Sequence, residues 1–223
     1  MKTTLQFGPV LAAWDRLLEG AWLTLQLSLA CMAAGFAIGT LCAFAATFGR
    51  TTAARLVRVY VEAIRNTPFL IQLFLIFFGL PSLGVALDPV SAALVGMSVN
   101  CGAYVTEIVR AGILSVPQGQ VEAARALALR TSLVIRHVVL VPALRQAAPA
   151  LGGQFILVML GSSVVSTISA EELTARGHIL ETETFRPFEV YIVVALIYVA
   201  LAFGLKLLFA GLEHAALARG GRR

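Results

Sequence analysis

Between Val116 and Pro142 the chain reads VPQGQVEAARALALRTSLVIRHVVLVP, a polar island bounded by long apolar runs. Gln118, Gln120, Glu122, Arg125, Arg130, Arg136 and His137 are too many polar groups to sink in hydrocarbon. Their chemistry is that of ion pairing and docking, not of bond breaking. Ser115 followed by Pro117 reads as a helix start. Val121, Ala124, Leu127 and Ala128 then recur at three- and four-residue spacing, and Glu122, Arg125 and Arg130 fall elsewhere. A second helical run is expected from Ser132 to Val141, stopped by Pro142. Two short helices with exposed small alanines, Ala123 and Ala124, make a knob suited to another protein's groove.

A second set of polar groups lies inside the apolar runs: Gln72, Asn100, Tyr104, Glu107, Gln154, Ser162, Ser163 and Ser166. Asn100 and Tyr104 are four apart, on one helical face with Glu107 close by. An ionisable group at such a position is a candidate for a solute path. Glu107 and Arg110, three apart, equally suit a local ion pair. Each neutral group could instead be interhelical glue, worth ~0.6 kcal/mol. No set of residues points to catalysis: GxxxxGK[ST], HExxH and GxSxG are absent. Cys31, Cys42 and Cys101 lie in apolar stretches, with no CxxC or histidine cluster to suggest a metal or a disulfide frame.

The elements that must position these groups follow from composition. The chain has 223 residues, 59% hydrophobic and 13% charged, the profile of an all-α integral membrane protein. One domain is expected over 1–223, with five spans at about 20–48, 61–81, 90–114, 147–170 and 189–211 and the polar island at 115–142. Gly35 and Gly39 form a GxxxG pair that permits close helix contact. Trp14 and Trp22 suit the headgroup level, with Val10 to Leu18 along the surface.

Charge sets the expected orientation. With the N-terminus outside, Arg50, Arg55, Arg58, Arg65, Arg110, Arg125, Arg130, Arg136, Arg145, Lys206, Arg219, Arg222 and Arg223 lie inside, 13 of the 17 basic residues. Lys2, Arg16, Arg176 and Arg186 stay outside. The polar island is then cytoplasmic, and the basic residues read as orientation signals, not as a nucleic-acid surface.

The residues also resemble a known family, the permease subunits of bacterial ABC importers for polar amino acids (the histidine, glutamine, arginine and opine group). VEAARALALRTSLVIRHVVLVPAL (Val121–Leu144) resembles its EAA loop, which docks on the ATPase subunit. GAWLTLQLS (Gly20–Ser28), EAIRNTPFLIQLFLIFFGLP (Glu62–Pro81) and NCGAYVTEIVRAGILSVPQGQVEAARAL (Asn100–Leu127) are similar to its other segments, in order. So are SSVVSTISAEELTARG (Ser162–Gly177) and TFRPFEVYIVVALIY (Thr184–Tyr198). The resemblance implies ATPase coupling through Gly119, Glu122, Ala123, Ala124, Arg125 and Ala128. For such a transporter the polar groups Asn100, Tyr104, Glu107, Gln72, Gln154 and Ser163 inside the apolar runs are the candidate substrate path. The resemblance implies no cofactor in this chain, ATP and Mg²⁺ being bound by the partner ATPase. The other implied partners are a second permease copy or homologous permease, a periplasmic substrate-binding protein, a polar amino acid and membrane lipid, in the bacterial inner membrane. Two departures stand out: the motif's glycine is Ala128, and its proline comes one place late, at Pro142. Alanine resists the φ > 0 turn that glycine would supply. The acidic stretch Glu171, Glu172, Glu181, Glu183 and Glu189 offers a contact to a basic binding-protein rim, and an ordinary solvated loop predicts the same charges. A stand-alone secondary transporter or channel is the competing class, against which stand the single five-span unit without visible inverted repeats and the ordered knob.

Overall fold

The structure, a computed structural model, describes the backbone of residues 5–220 and the side chains of residues 5–212. Lys2, Arg222, Arg223 and the Arg219 side chain, used above for orientation, lie outside the described residues. Among the described residues every regular element is helical.

A short helix α1 (Gly8–Ala12) turns into α2 (Trp14–Phe48). At ~1.5 Å per residue, 35 residues reach ~52 Å, well beyond the ~30 Å of hydrocarbon. The helix starts earlier than the expected span at 20, because Asp15 in its first turn suits the positive end of the helix dipole. Helix α5 (Pro89–Leu114) matches the expected 90–114; Asp88 caps it by accepting from the Ser91 N–H at 3.2 Å.

Helices α2 and α5 run parallel and make the most extensive contact in the molecule. The GxxxG expectation holds. A Cβ on Gly35 would stand 2.6 Å from Cys101 Sγ, and one on Gly39 would stand 2.5 Å from Val105. The backbones are therefore as close as two helices can come, which is what glycine provides in lipid. Cys31, Cys101, Val105 and Val109 are fully buried along this seam.

The expected second span, 61–81, is not one helix. Helix α3 (Thr51–Arg65) and the segment beginning with α4 (Phe69–Phe74) meet at a 106° bend. Pro68 has no N–H and disfavours helical backbone at Thr67. Four carbonyls at the break accept hydrogen bonds from side chains. Asn66 Nδ2 donates to Glu62 O at 2.8 Å and Thr67 Oγ1 to Ala63 O at 2.7 Å. Gln72 Nε2 donates to Ile64 O at 2.8 Å and to Thr67 O at 2.9 Å. That accounting is what allows irregular backbone in a membrane protein.

Two prolines sit just beyond π-helical stretches. Leu75–Gly79 precedes the 3₁₀ turn Leu80–Leu83 with Pro81, and Val134–Leu140 precedes Pro142. A wider turn moves the preceding carbonyls away from the proline ring. Pro142 therefore does not stop a helix, contrary to expectation. Helix α7 (Thr131–Leu133), the π stretch, α8 (Val141–Gly161) and the 3₁₀ turn Ser162–Ile168 form one 38-residue apolar rod. Helix α8 runs antiparallel to α5, packed so closely that a Cβ on Gly112 would meet Ala143 O at 2.5 Å.

Helix α9 (Leu173–Thr184) lies at the far end of this rod, and α10 (Pro187–Gly220) returns along the bundle. A second apolar core of Val10, Leu17, Leu173, Leu180, Val190 and Val194 packs α1, α2, α9 and α10 at that end. Among the described residues four helices are long and apolar enough to cross a membrane, five if the bent pair is one span.

Candidate functional site

Two cavities lie side by side against α5. The larger, of about 580 Å³, is lined by Arg58, Glu62, Arg65 and Asn66 from α3 and its end, and by Tyr104, Glu107 and Arg110 from α5. The smaller, about 230 Å³, is lined by Phe69, Met97, Asn100, Tyr104, Gln154, Leu157, Val158 and Gly161. Tyr104 belongs to both, so the two spaces meet at its ring.

Arg65 stands over that ring, its guanidinium carbon 5.1 Å from the centroid, within cation–π range. Glu107 accepts both arms of Arg110, from Nε at 3.0 Å and from Nη2 at 2.8 Å. The two readings of Glu107 thus coincide: it is half of a bidentate pair and it faces a cavity. Arg58 and Arg65 lie on the same wall as Glu62. The larger cavity therefore presents both signs of charge, and the smaller one amides, a phenol and apolar surface.

Asn100, Tyr104 and Gln154 come together at the smaller cavity as the sequence suggests, and Glu107 lines the larger. Gln72 is buried behind Asn100, accepting from its Nδ2 at 3.1 Å. Ser163 is half-buried and donates to Leu160 O at 2.9 Å; it lines neither cavity. Arg58, Glu62, Arg65 and Asn66 were not named for the path. Their signal in the sequence is Arg65-Asn66-Thr67-Pro68, where an arginine and a proline interrupt an apolar run, a pattern that equally suits a helix start.

At one end of the bundle stands the polar island. Helix α6 (Gln118–Ala126) turns Val121 and Ala124 inward. Ala124 is 6% exposed, so it supports the knob from inside instead of forming its surface. Glu122, Ala123 and Arg125 face outward with Leu127, which is 76% exposed. Among the described residues Glu122, Arg125 and Arg130 have no charged or hydrogen-bonding side-chain partner. A Cβ on Gly119 would meet open space. Ala128 adopts φ 52°. Its N–H bonds Arg125 O at 2.9 Å, and the Leu129 N–H bonds Ala124 O at 3.3 Å. This double closure is the glycine-type helix end, built here on alanine at a cost of ~1 kcal/mol.

The acidic stretch near α9 is largely consumed internally. Glu172 is fully buried, accepting from Tyr198 Oη at 2.6 Å, Thr24 Oγ1 at 3.3 Å and the Ala175 N–H at 3.0 Å. Burial pushes its carboxyl above the usual carboxylate range. Glu183 pairs with Arg16 at 2.6 Å, and that hydrogen bond holds it below the range.

The geometry has counterparts in known proteins. Residues 35–216 match the model of the family described as binding-protein-dependent transport system inner membrane component. The glutamine transport system permease protein GlnP of Escherichia coli (strain K12) is 38% identical over 200 residues, 89% of this chain and 91% of that protein. The L-cystine transport system permease protein TcyB of Bacillus subtilis (strain 168) is 35% identical over 87% of this chain and 83% of its own. The nopaline transport system permease protein NocM of Agrobacterium fabrum is 33% identical over 87% and 85%. The crystal structure of an amino acid ABC transporter with histidines superposes with a TM-score of 0.88 at 32% identity, covering 96% of this chain and 100% of that one. The MetNI methionine ABC transporter in an inward-facing form shares the fold, with a TM-score of 0.76 at 23% identity. A bent second span, a small-residue seam and an outward knob on an all-helical membrane bundle thus accompany the match over most of the chain: this protein belongs to the binding-protein-dependent transport system inner membrane components, as an ABC transporter permease subunit.

Proposed function

We propose that this chain is the permease subunit of an importer for a polar amino acid or amino-acid derivative, and that it hydrolyses no ATP itself. The observation that carries the reading is the knob: Glu122, Ala123, Arg125 and Leu127 project outward, unengaged by the rest of the described chain. A groove on an ATPase subunit is the natural receiver for a short helix that offers an anion, a cation and one exposed leucine. The knob is joined through the π stretch to α8, which lines the smaller cavity, so displacing the knob displaces a cavity wall.

The solute belongs in the paired cavities. A free amino acid carries one carboxylate and one ammonium, and Arg58, Arg65, Glu62 and the Glu107–Arg110 pair present both complements around about 580 Å³. Glutamine, L-cystine and nopaline, named for the relatives, are solutes of that kind. The chain is proposed to sit N-out and C-in, which puts the knob in the cytoplasm and α9 on the periplasmic side, facing a substrate-binding protein. It pairs with a second copy or a similar permease and two ATPase subunits, which hold ATP and Mg²⁺.

Purification of the chain from its native membrane in mild detergent, with mass spectrometry of what accompanies it, tests this. A P-loop ATPase is expected among the co-purifying proteins. Reproducible recovery of the stable chain with no ATPase would overturn the reading in favour of a stand-alone transporter.

A further inference from the structure

We infer that Gln72 is a positioning residue that ties the break in the second span to the hand of Asn100, making Asn100 offer an acceptor oxygen to the solute. The inference rests on the proposed function of the cavity and goes beyond it in assigning a polarity to its wall.

The argument is one of donor and acceptor accounting. Gln72 is 7% exposed. One end of its amide contacts two main-chain carbonyls, Ile64 O at 2.8 Å and Thr67 O at 2.9 Å. A carbonyl can only accept, so that end is the NH₂ group, with both its hydrogens spent. The opposite end is Oε1, which can only accept, and its partner is Asn100 at 3.1 Å. Asn100 must therefore turn its own NH₂ to Gln72. What remains of the Asn100 amide is the whole of Oδ1 and the second N–H of Nδ2, and Asn100 lines the smaller cavity beside Tyr104 and Gln154. The backbone carbonyls freed at a proline thus fix, through two amides in series, which end of the Asn100 amide turns to Gln72 and leave its oxygen unspent. An ammonium or amide N–H is the group that this oxygen matches.

The test uses the complete permease–ATPase complex in proteoliposomes together with its substrate-binding protein, with radiolabelled L-glutamine, L-histidine and L-arginine as probes and ATP inside. Uptake of none of them by the wild-type complex overturns the functional reading, and the inference with it. For a probe that is taken up, Asn100→Ala is expected to raise KM roughly 3- to 10-fold, the worth of one neutral hydrogen bond. Gln72→Met, which keeps the volume and removes the amide, is expected to raise KM by a similar factor, with the maximal rate per assembled complex within about twofold. The double variant is expected to match Asn100→Ala alone, because one residue acts through the other. A fall in maximal rate with unchanged KM in Gln72→Met means a purely structural residue and overturns the inference, as do factors that multiply in the double variant. Should Gln72→Met not assemble, Gln72→Asn keeps the amide but is one methylene too short for all three contacts. A raised KM in that variant supports the inference and a wild-type KM overturns it.

Discussion

The two ends of this molecule treat charge in opposite ways. At the α9 end the charged groups are spent on the chain itself. Arg16 holds Glu183 at 2.6 Å, Arg176 holds Glu171 at 3.1 Å and Glu19 at 3.5 Å, and Glu189 takes both the Gln6 N–H at 3.0 Å and Arg186 at 3.3 Å. Glu172 disappears into the interior with three donors. At the knob, Glu122, Arg125 and Arg130 have no such partners among the described residues. Each exposed pair near α9 contributes little by itself, but together they tie α1, α2, α9 and α10 at fixed relative positions. One end is closed on itself, and the other is chemically unfinished.

The largest effect expected from that contrast is functional. Glu122→Lys is predicted to abolish uptake while insertion and thermal stability stay at wild-type values, since the side chain touches nothing else in the described chain. Transport in vesicles beside a melting curve checks it, and wild-type uptake would remove the knob from the coupling path. The mirror experiment is Glu172→Ala. Stranding the Ala175 N–H and taking one bond each from the Tyr198 and Thr24 hydroxyls, which keep Thr174 Oγ1 and Gly20 O as partners, is expected to cost about 1–3 kcal/mol of stability, read as a lowered melting temperature in detergent with the ATPase interaction retained.

A third prediction sharpens the difference through pH. With Glu172 raised above its ordinary value of 4.5, the folded chain keeps a proton that the unfolded chain has lost. Its contribution to stability is therefore gained as pH falls from the raised pKa towards 4.5 and is lost as pH rises through the raised value. Glu181, held low by the Tyr191 hydroxyl, and Glu183, held low by Arg16, act with the opposite sign and only below 4.5. As pH falls through the raised value towards 4.5, wild type is expected to gain in melting temperature relative to Glu172→Gln. Parallel curves would count against the upward shift of the Glu172 carboxyl. The smallest effect is expected at the knob's turn. Ala128→Gly relieves φ 52° and should stabilise the turn by no more than ~1 kcal/mol, with uptake unchanged.

The long helices and their order were legible because hydrocarbon selects for uninterrupted apolar runs, and the helix Pro89–Leu114 was located within a residue. The break in the second span was not legible. Hydropathy averages over Arg65 to Pro68, and the same four residues describe a helix start or a 106° turn. Pro142 misled for a related reason, since a proline is compatible with a helix once the turn before it widens. At the site, Asn100, Tyr104, Glu107 and Gln154 could be picked out as polar groups at helical spacing. That Glu171 faces outward and its neighbour Glu172 inward depends on Thr24 and Tyr198, far away in sequence. So does the hidden place of Gln72, set by the backbone it caps.

The bend also bears on how the chain enters the bilayer during synthesis. The part of the second span beyond it comprises turns of 6, 5 and 4 residues, which reach only ~22 Å against ~30 Å of hydrocarbon. A segment that short, preceded by Arg50, Arg55, Arg58 and Arg65, gives the insertion machinery a weak signal of its own. Its residence across the bilayer depends on the hairpin it forms with α5, which is synthesised after it. The second span is thus expected to settle in the membrane only after α5, the partner that keeps it there, has emerged from the ribosome.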